Sequence, residues 1–299
     1  MPRIRTRLAV LMLVVLASAL LVAACGGDDD DNGGSTGGSS GSEPQPGSLA
    51  DLCPKDRLDL VKSGQLTVGT DKPAFPPYFE DDDPTNGKGF ESAVAYAVAQ
   101  KLGFSKDEVK WTVVPFNSSY APGPKNFDFD INQISITPAR QKAVDFSDPY
   151  FTAPQAVVLA KGSDVKIGSL SDLKDAQIGV QIGTTSLDAV KNFIMPSKDP
   201  KVFNDSNDVV TALKQNQVDA VVTDLPTAFY ITAAQVPGSK IAGQFDTGEG
   251  DNWGLLLAKD SKVTPCVDKV IGDLTESGEL KKLEKKWMGA AAGAPELKF

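Results

Sequence analysis

The sequence has no histidine, only three cysteines and, beyond its seventh residue, only two arginines, Arg57 and Arg140. Without histidine the chain cannot build a histidine-based catalytic triad, most zinc sites or the usual near-neutral general base. Proton transfer would have to use carboxylates, lysine or tyrosine. These absences favour binding over catalysis, so we expect no enzyme activity, no cofactor and no metal site.

A basic surface and long apolar runs are also missing. The net charge is −9, and the lysines form no stripe that could neutralise phosphates, so nucleic-acid binding is excluded. The longest apolar run, LAVLMLVVLASALLVAAC, lies at the N-terminus and is shorter than the roughly 20 residues of a membrane-spanning helix. A protein that crosses the membrane several times is therefore excluded.

The N-terminal segment reads as an export signal. Three arginines in MPRIRTR precede the apolar run, and Val22-Ala23-Ala24-Cys25 resembles the lipobox of bacterial lipoproteins. Residues 1–24 are expected to be removed, which leaves Cys25 as a lipid-modified N-terminus; the alternative is ordinary cleavage with a free thiol. Residues 25–50, rich in Gly, Ser and Asp, predict a flexible tether. The protein would then be exported and anchored by lipid alone to the outer face of the cytoplasmic membrane.

Two cysteines remain if Cys25 is lipidated. In an exported protein, such an even remainder predicts a disulfide between Cys53 and Cys266, with two buried free thiols as the alternative. The bridge would bring the two ends of the folded body into one lobe.

Apolar patterns predict alternating strands and helices between residues 51 and 299. We expect strands at residues 65–70, 109–114, 127–136, 155–160, 177–181, 218–223 and 254–258. Helices are expected at 90–102, 138–143, 183–194, 207–215, 226–234 and 264–287, the last broken near Gly278. This order predicts two α/β lobes: residues 51–153 with 252–299, and residues 154–251. The chain would cross between them at hinge strands near 150–154 and 249–253.

Six stretches in order resemble the extracytoplasmic solute-binding proteins of bacterial ABC importers, in their polar amino-acid-binding group. They are LTVGTDKPAFPPYF, GKGFESAVAYAVAQKLGF, ISITPARQKAVDFSDPY, IGVQIGTTS, VDAVVTDLP and LKKLEKKWMG. The resemblance implies a two-lobed clamshell of the type II periplasmic-binding-protein fold. It also implies a monomer that closes over a free L-amino acid and delivers it to the permease subunits of a transporter.

The resemblance assigns the ligand's two charged ends to four positions. Arg140 would hold the α-carboxylate with a planar fork of donors, which lysine lacks, and Ser135 would lie beside it. The turn of Gly183, Thr184 and Thr185 would meet the carboxylate from the second lobe, and Asp224 would bind the α-ammonium. The alternatives are a surface arginine paired with an aspartate, a serine bonded only to backbone, and plain helix caps for the Thr-Thr turn and Asp224.

The ligand's side chain is expected to face Asp71, Phe75, Tyr78 and Phe116. Asp71 can accept a bond from a donor-bearing side chain, and the rings can sandwich it. Core packing of the rings and a turn role for Asp71 are the alternatives. Gln133 and Gln181 depart from the family pattern and could narrow the pocket or supply amide contacts. Residues 118–128 also depart from it, which leaves their path and the aim of Phe116 open.

The leading hypothesis is therefore a binding lipoprotein for a polar or basic amino acid. One alternative is an enzyme on the same scaffold, similar to the cyclohexadienyl dehydratases, with Asp71 or Glu91 as the acid. The other is a ligand-sensing or adhesive lipoprotein that serves no transporter.

Overall fold

A computed structural model of the chain describes residues 49–163, 165–248, 250–289 and 293–299. The predicted signal peptide, the lipidation site Cys25 and all but the end of the predicted tether lie outside these residues, as does Glu249 of the second predicted hinge strand. No helix in the described part is long and apolar enough to cross a membrane.

Ten strands form two five-stranded sheets. The strands are β1 (Leu66–Thr70), β2 (Val109–Val113), β3 (Phe129–Asp130), β4 (Val144–Ala153), β5 (Gln155–Leu159), β6 (Ile178–Gln181), β7 (Lys201–Phe203), β8 (Ala220–Asp224), β9 (Lys240–Phe245) and β10 (Asp251–Ala258). We call the part built on the sheet β2-β1-β3-β10-β4 lobe 1, and the part built on β7-β6-β8-β5-β9 lobe 2. The predicted two-lobed α/β fold is confirmed.

Both sheets are mixed. In lobe 1, β1 runs parallel to β2 and β3, while β10 runs antiparallel to β3 and β4. In lobe 2, β6 runs parallel to β7 and β8, while β5 runs antiparallel to β8 and β9. The carboxyl ends of β1, β6 and β8 carry the polar side chains described below, as expected of ligand sites in open α/β sheets.

Helices cover both faces of the sheets. They are α1 (Leu49–Leu52), α2 (Phe90–Lys101), α3 (Phe116–Ser119), α4 (Thr185–Ala189), α5 (Ser206–Lys214), α6 (Leu225–Tyr230), α7 (Thr264–Glu276) and α8 (Glu279–Met288). π-helical turns extend α4 through Val190–Ile194 and α6 through Ile231–Gln235. Short 3-10 turns lie at Lys55–Arg57, Pro84–Asn86, Lys106–Glu108, Arg140–Lys142 and Leu170–Leu173.

Continuous apolar runs become central strands because both of their faces are buried. In β5, Val158 packs into one core cluster of lobe 2 and Val157 into another, and in β10 Leu257 and Leu256 divide between the two clusters of lobe 1 in the same way. Strands buried on both sides lose the alternation of polar and apolar residues that marks a half-exposed strand.

The chain passes between the lobes at two adjacent points. It leaves lobe 1 after β4 and enters lobe 2 at Gln155; it returns between Phe245 and Asp251. Asp251 pairs with Ala153, so the two crossings lie side by side. The predicted disulfide is also confirmed: Cys53 and Cys266 are joined with their Cα atoms 5.7 Å apart, and both belong to the core of lobe 1.

Residues 293–299 correct the predicted lobe boundary. They were assigned to lobe 1 because α7 and α8 pack there, but Lys298 and Glu296 form bridges with Ser169 and Gln244 of lobe 2. Leu297 fills the core beside β9. We call residues 293–299 the strap. Position 243 must be glycine for the strap to pack this closely, because a Cβ there would lie 2.5 Å from the Pro295 carbonyl oxygen.

Three strands were not predicted, and one predicted strand and one predicted helix are much shorter than expected. β4, β7 and β9 carry mixed polar sequences, and β4, which includes Pro149, is an edge strand where a missing donor is tolerated. The strand expected at 127–136 is a regular strand only at Phe129–Asp130, because Gln133 takes a left-handed conformation (φ 49°) that interrupts it; pairing resumes as a single bridge between Ser135 and Trp253. The helix expected at 138–143 is the 3-10 turn that carries Arg140.

Candidate functional site

A cavity of about 100 Å³ lies between the two lobes. Lobe 1 lines it with the end of β1, the loop after β3 and the turn that holds Arg140; lobe 2 lines it with the ends of β6 and β8 and the starts of α4 and α5. The predicted residues that line it are Asp71, Phe75, Phe116, Gln133, Ser135, Arg140, Gln181, Thr184, Thr185 and Asp224. The surface arginine considered from sequence is wrong, because Arg140 is buried.

Arg140 reaches across the cleft. Its Nη1 donates to the Ser135 carbonyl oxygen at 2.6 Å, and its Nη2 donates to the Gly183 carbonyl oxygen of lobe 2 at 2.9 Å. The guanidinium lies over the rings of Tyr120 and Phe116, at 4.7 and 5.5 Å from their centroids. Burial lowers the pKa of Arg140, which stays far above neutrality. A guanidinium has five donors, so these two bonds leave three for a ligand.

The Gly-Thr-Thr turn contributes to the site in three different ways. Gly183 presents its carbonyl oxygen to Arg140 and does not line the cavity, which corrects its expected role as a ligand contact. The Thr184 hydroxyl caps α4 by accepting from Leu187 N, as the cap alternative predicted. Thr185 exchanges a 3.3 Å hydrogen bond with Ser135 across the cleft.

Glycine is required at position 183. Its φ is +75°, and a Cβ there would lie 2.3 Å from the Tyr120 hydroxyl and 2.4 Å from Asn117 Oδ1. The Tyr120 hydroxyl donates to Asn117 Oδ1 at 2.6 Å and lies 3.3 Å from the Gly183 carbonyl oxygen. The segment 118–128, whose path was open from sequence, therefore supplies a ring over Arg140 and a contact with lobe 2. No residue pattern pointed to Tyr120.

Asp224 ends β8 and is partly open to the cleft. Its side chain makes no capping bond to α6, so the cap alternative is not realised. Its Oδ1 accepts from Gln155 Nε2 at 2.7 Å, and the same nitrogen donates to Asp251 Oδ2 at 2.7 Å. Burial, together with the nearby charge of Asp251, raises the pKa of Asp224 well above its usual range. Neither Gln155 nor Asp251 was singled out from sequence.

Asp71 lines the cavity as predicted, and it also has the turn role that was its alternative. It lines the cleft, but its two oxygens accept backbone N–H bonds from Lys72 at 2.7 Å and Phe116 at 3.0 Å. The bond from Phe116 N holds the start of α3 against Asp71 and so fixes the position of the Phe116 ring, which the sequence had left open.

Tyr78 does not line the cavity, in contrast to its predicted position facing the ligand's side chain. Its side chain is fully buried and is absent from the cavity wall, and its hydroxyl shares a 2.9 Å hydrogen bond with Thr227 Oγ1 of lobe 2. Phe75 lies in front of it, stacked on Tyr230 with centroids 5.8 Å apart. Phe75 therefore forms part of the wall, while Tyr78 supports it from behind.

The two glutamines that depart from the family pattern are both engaged. Glu91 Oε1 accepts from the Gln133 backbone N–H at 2.7 Å and from the Tyr150 hydroxyl, while Glu91 Oε2 accepts from the Gln133 side-chain amide. Gln181 accepts from Ser206 at 2.6 Å. Burial raises the pKa of Glu91 to about 7, although these hydrogen bonds oppose the shift.

The remaining wall residues were not predicted to contact the ligand, apart from Ser186, which belongs to the turn expected to meet the ligand's carboxylate. Lobe 1 adds Lys72, Pro73 and Asn132; lobe 2 adds Ser186, Asp205, Ser206, Asn207, Val209, Val210, Val221, Val222, Thr223, Thr227, Ile231 and Gln235. The polar ones at 205–207 follow β7, a strand that the sequence did not reveal, so their position at the cleft had no local signal.

Two lobes joined by two adjacent crossings, with opposite charges facing one cleft, define a ligand-binding protein of the clamshell class. A family model described as bacterial extracellular solute-binding proteins, family 3, matches residues 66–290, and the chain belongs to this family.

Known relatives agree with this assignment. The arginine-binding extracellular protein ArtP of Bacillus subtilis (strain 168) is 31% identical over 233 residues, 75% of this chain and 86% of that protein. The structure of an ancestral arginine-binding protein bound to arginine is similar with a TM-score of 0.64 and 37% identity, over 76% of this chain and 99% of its own.

Other relatives are named for ligands other than arginine. The ancestral amino acid-binding protein AncCDT-1, described as a precursor of cyclohexadienyl dehydratase, has a TM-score of 0.61 and 31% identity over 75% of this chain and 95% of its own. Further relatives are named for the binding of L-cystine, histidine and glutamine.

Proposed function

We propose that this chain captures a free amino acid, polar or basic in its side chain, between lobes 1 and 2 for import. The observation that carries the proposal is a pair of unmatched opposite charges on one cleft. Arg140 of lobe 1 and Asp224 of lobe 2 line the same cavity, and neither has an oppositely charged partner within 4.0 Å among the described residues. Buried charges without partners are costly. A zwitterion supplies both partners at once.

The α-carboxylate would lie between Arg140 and the first turn of α4. Three guanidinium donors remain for it, and the first N–H groups of a helix have no partner inside the helix. Ser135 and Thr185, already in contact across the cleft, would add hydroxyl donors. The α-ammonium would be bound by Asp224. Because these groups come from both lobes, the ligand would favour the closed arrangement.

The preference for a polar or basic side chain has two supports. Asp71 and Phe116 form an acidic and aromatic corner of the wall, which suits a donor-bearing or cationic group. Relatives are named for arginine, histidine, glutamine and cystine.

The rest of the assignment follows the family. We infer hinge segments at 150–154 and 249–253, a lipid anchor at Cys25, a monomeric body and delivery to the permease subunits of an ABC transporter. Loss of amino-acid uptake on deletion, with binding intact in vitro, would separate transport from a sensing or adhesive role.

The direct test is a thermal-shift screen of the twenty amino acids with ornithine, citrulline and cystine. A ligand at 100 times its Kd stabilises the folded state by about 2.7 kcal/mol, which is readily seen as a rise in Tm. If no free amino acid raises the Tm, the proposed ligand class is wrong.

The two acids considered for catalysis from sequence, Asp71 and Glu91, are both engaged in hydrogen bonds with the protein. Glu91 is committed to Gln133 and Tyr150 and is absent from the cavity wall, and both oxygens of Asp71 accept backbone bonds. We therefore propose binding without turnover. Conversion of prephenate by the protein, abolished by Asp71→Asn, would contradict this.

A further inference from the structure

Gln155 stands where the chain enters lobe 2. It is the first residue of β5, directly after Pro154, and its side chain is 1% exposed. Its register partner across the sheet is Asp224, the candidate ammonium ligand. The position of Gln155 therefore joins the hinge region to the binding cleft.

The Gln155 amide holds two carboxylates from different lobes. Nε2 donates to Asp224 at the end of β8 in lobe 2 and to Asp251, the first residue of β10, whose register partner is Ala153 in the sheet of lobe 1. Both distances are 2.7 Å. Both N–H groups of this one amide are thus used on acids, and its Oε1 is buried without a hydrogen-bond partner.

This arrangement concentrates negative charge beside the cleft. Asp251 is buried, and in the described part of the chain no lysine or arginine lies within 4.0 Å of either carboxylate. A neutral amide can orient two acids, but it cannot neutralise them. The missing component is a cation that enters from the cleft, where Asp224 is open.

We propose that Gln155 and Asp251, together with Asp224, form the ammonium-binding half of the site, with Gln155 as the positioning residue and Asp251 as the second negative charge. This inference rests on the proposed function. It adds that the ligand's ammonium is bound by Asp224, whose orientation and charge are set from behind the cavity wall by Gln155 and Asp251, so that binding is coupled to the chain crossing at 153–155.

The interaction between Asp224 and Asp251 should make the affinity for the ligand depend on pH. Asp224 must be ionised to bind an ammonium group, and the neighbouring charge of Asp251 keeps a proton on it to higher pH than usual. Binding therefore releases a proton, and affinity rises with pH until Asp224 is ionised in the free protein. The other groups near Asp224 are Arg140, which is charged throughout, Tyr78, which is neutral throughout, and Glu91, which titrates near pH 7.

The test measures Kd by calorimetry from pH 5 to 8 with L-arginine, L-glutamine, L-histidine and L-cystine, which share the α-ammonium group. Asp251→Asn is expected to shift the pH profile to lower pH and to weaken binding about tenfold on the high-pH plateau. Gln155→Leu is expected to weaken binding at least as much. Gln244→Leu, which removes a glutamine bonded to Glu296 outside the cleft, is the matched control and should bind as the unmodified protein does.

The outcomes separate the two claims. If the unmodified protein binds none of the four amino acids, the proposed function falls, and this inference falls with it. If it binds one but Asp251→Asn keeps the unmodified pH profile, or lowers affinity equally at every pH, only this inference is overturned. Should Gln155→Leu fail to fold, the isosteric Asp251→Asn decides alone; Glu91→Gln should leave the shift caused by Asp251→Asn in place.

Discussion

Replacing Arg140 with lysine tests the centre of the proposed site. Arg140 spans the cleft with two hydrogen bonds, to the carbonyl oxygens of Ser135 and Gly183, while its plane lies over Tyr120. Lysine keeps the charge but offers a single rotatable ammonium, so it cannot reach both carbonyls and also grip two oxygens of a carboxylate. The substitution therefore removes geometry and leaves net charge unchanged.

The expected loss is large enough to measure cleanly. A hydrogen bond to a charged group contributes about 1.5–3 kcal/mol, and Arg140→Lys should lose at least one such bond to the ligand. Affinity should fall by roughly 10- to 150-fold. Calorimetry with the amino acid that gives the largest thermal shift would report it, together with a Tm that shows the variant folds.

Arg57→Lys is the matched control, because Arg57 is the only other arginine beyond residue 7 and is exposed on lobe 1. It should retain full affinity. If Arg140→Lys binds as tightly as the control, the bidentate carboxylate role is refuted; if Arg140→Lys loses binding and Tm together, misfolding explains the loss and Arg140→Gln must be compared.

Three further predictions concern stability. Asp130 is fully buried with both carboxylate oxygens lacking a hydrogen-bond partner, and burial raises its pKa. Its contribution to stability is therefore lost as the pH rises above about 4, the pKa of an aspartate in the unfolded chain. The Tm of Asp130→Ala relative to the unmodified protein should be higher at pH 7.5 than at pH 4, and an equal difference at both pH values would contradict this. Burial raises the pKa of Glu91 from 4.5 to about 7, so ionising it in the folded protein lowers the free energy of unfolding by on the order of 3 kcal/mol as the pH rises between those values; in Glu91→Gln, the decline in urea stability over this range should be smaller by about this amount, and an unchanged decline would contradict this. The disulfide between Cys53 and Cys266 closes a loop with a sequence separation of 213, for which chain entropy gives about 5 kcal/mol at most; reduction should lower the Tm, whereas an equal Tm would argue that the loop is already held by other contacts.

Local patterns predicted the central elements of this fold because burial on both faces leaves a signature in the chain. The apolar runs of β5 and β8, and the helical spacing of α2, were recognisable for that reason. β4, β7 and β9 were not, since their mixed sequences are stabilised by neighbours that are distant in sequence. The strap at 293–299 is the clearest case, because it packs on lobe 2 although the helices before it belong to lobe 1.

The candidate site divides in the same way. Arg140, Ser135 and Asp224 were assigned from the family resemblance, and the structure places all three on the cavity wall. Gln155 and Tyr120 could not be predicted, since their importance comes from contacts with residues 69 and 63 positions away. Contacts of that kind form only when distant parts of the chain have folded together.

The amino-acid sequence, with its resemblance to a known family, therefore predicted the class of fold, offered the disulfide between Cys53 and Cys266 as one of two alternatives, and supplied the candidate charges Arg140 and Asp224. Only the tertiary structure decided which predicted residues reach the cavity, since neither Tyr78 nor Gly183 lines it. It also decided how the acids are held. The physical reason is that residue type sets the chemistry a side chain can perform, whereas its burial, its hydrogen-bond partners and its pKa depend on neighbours that folding supplies.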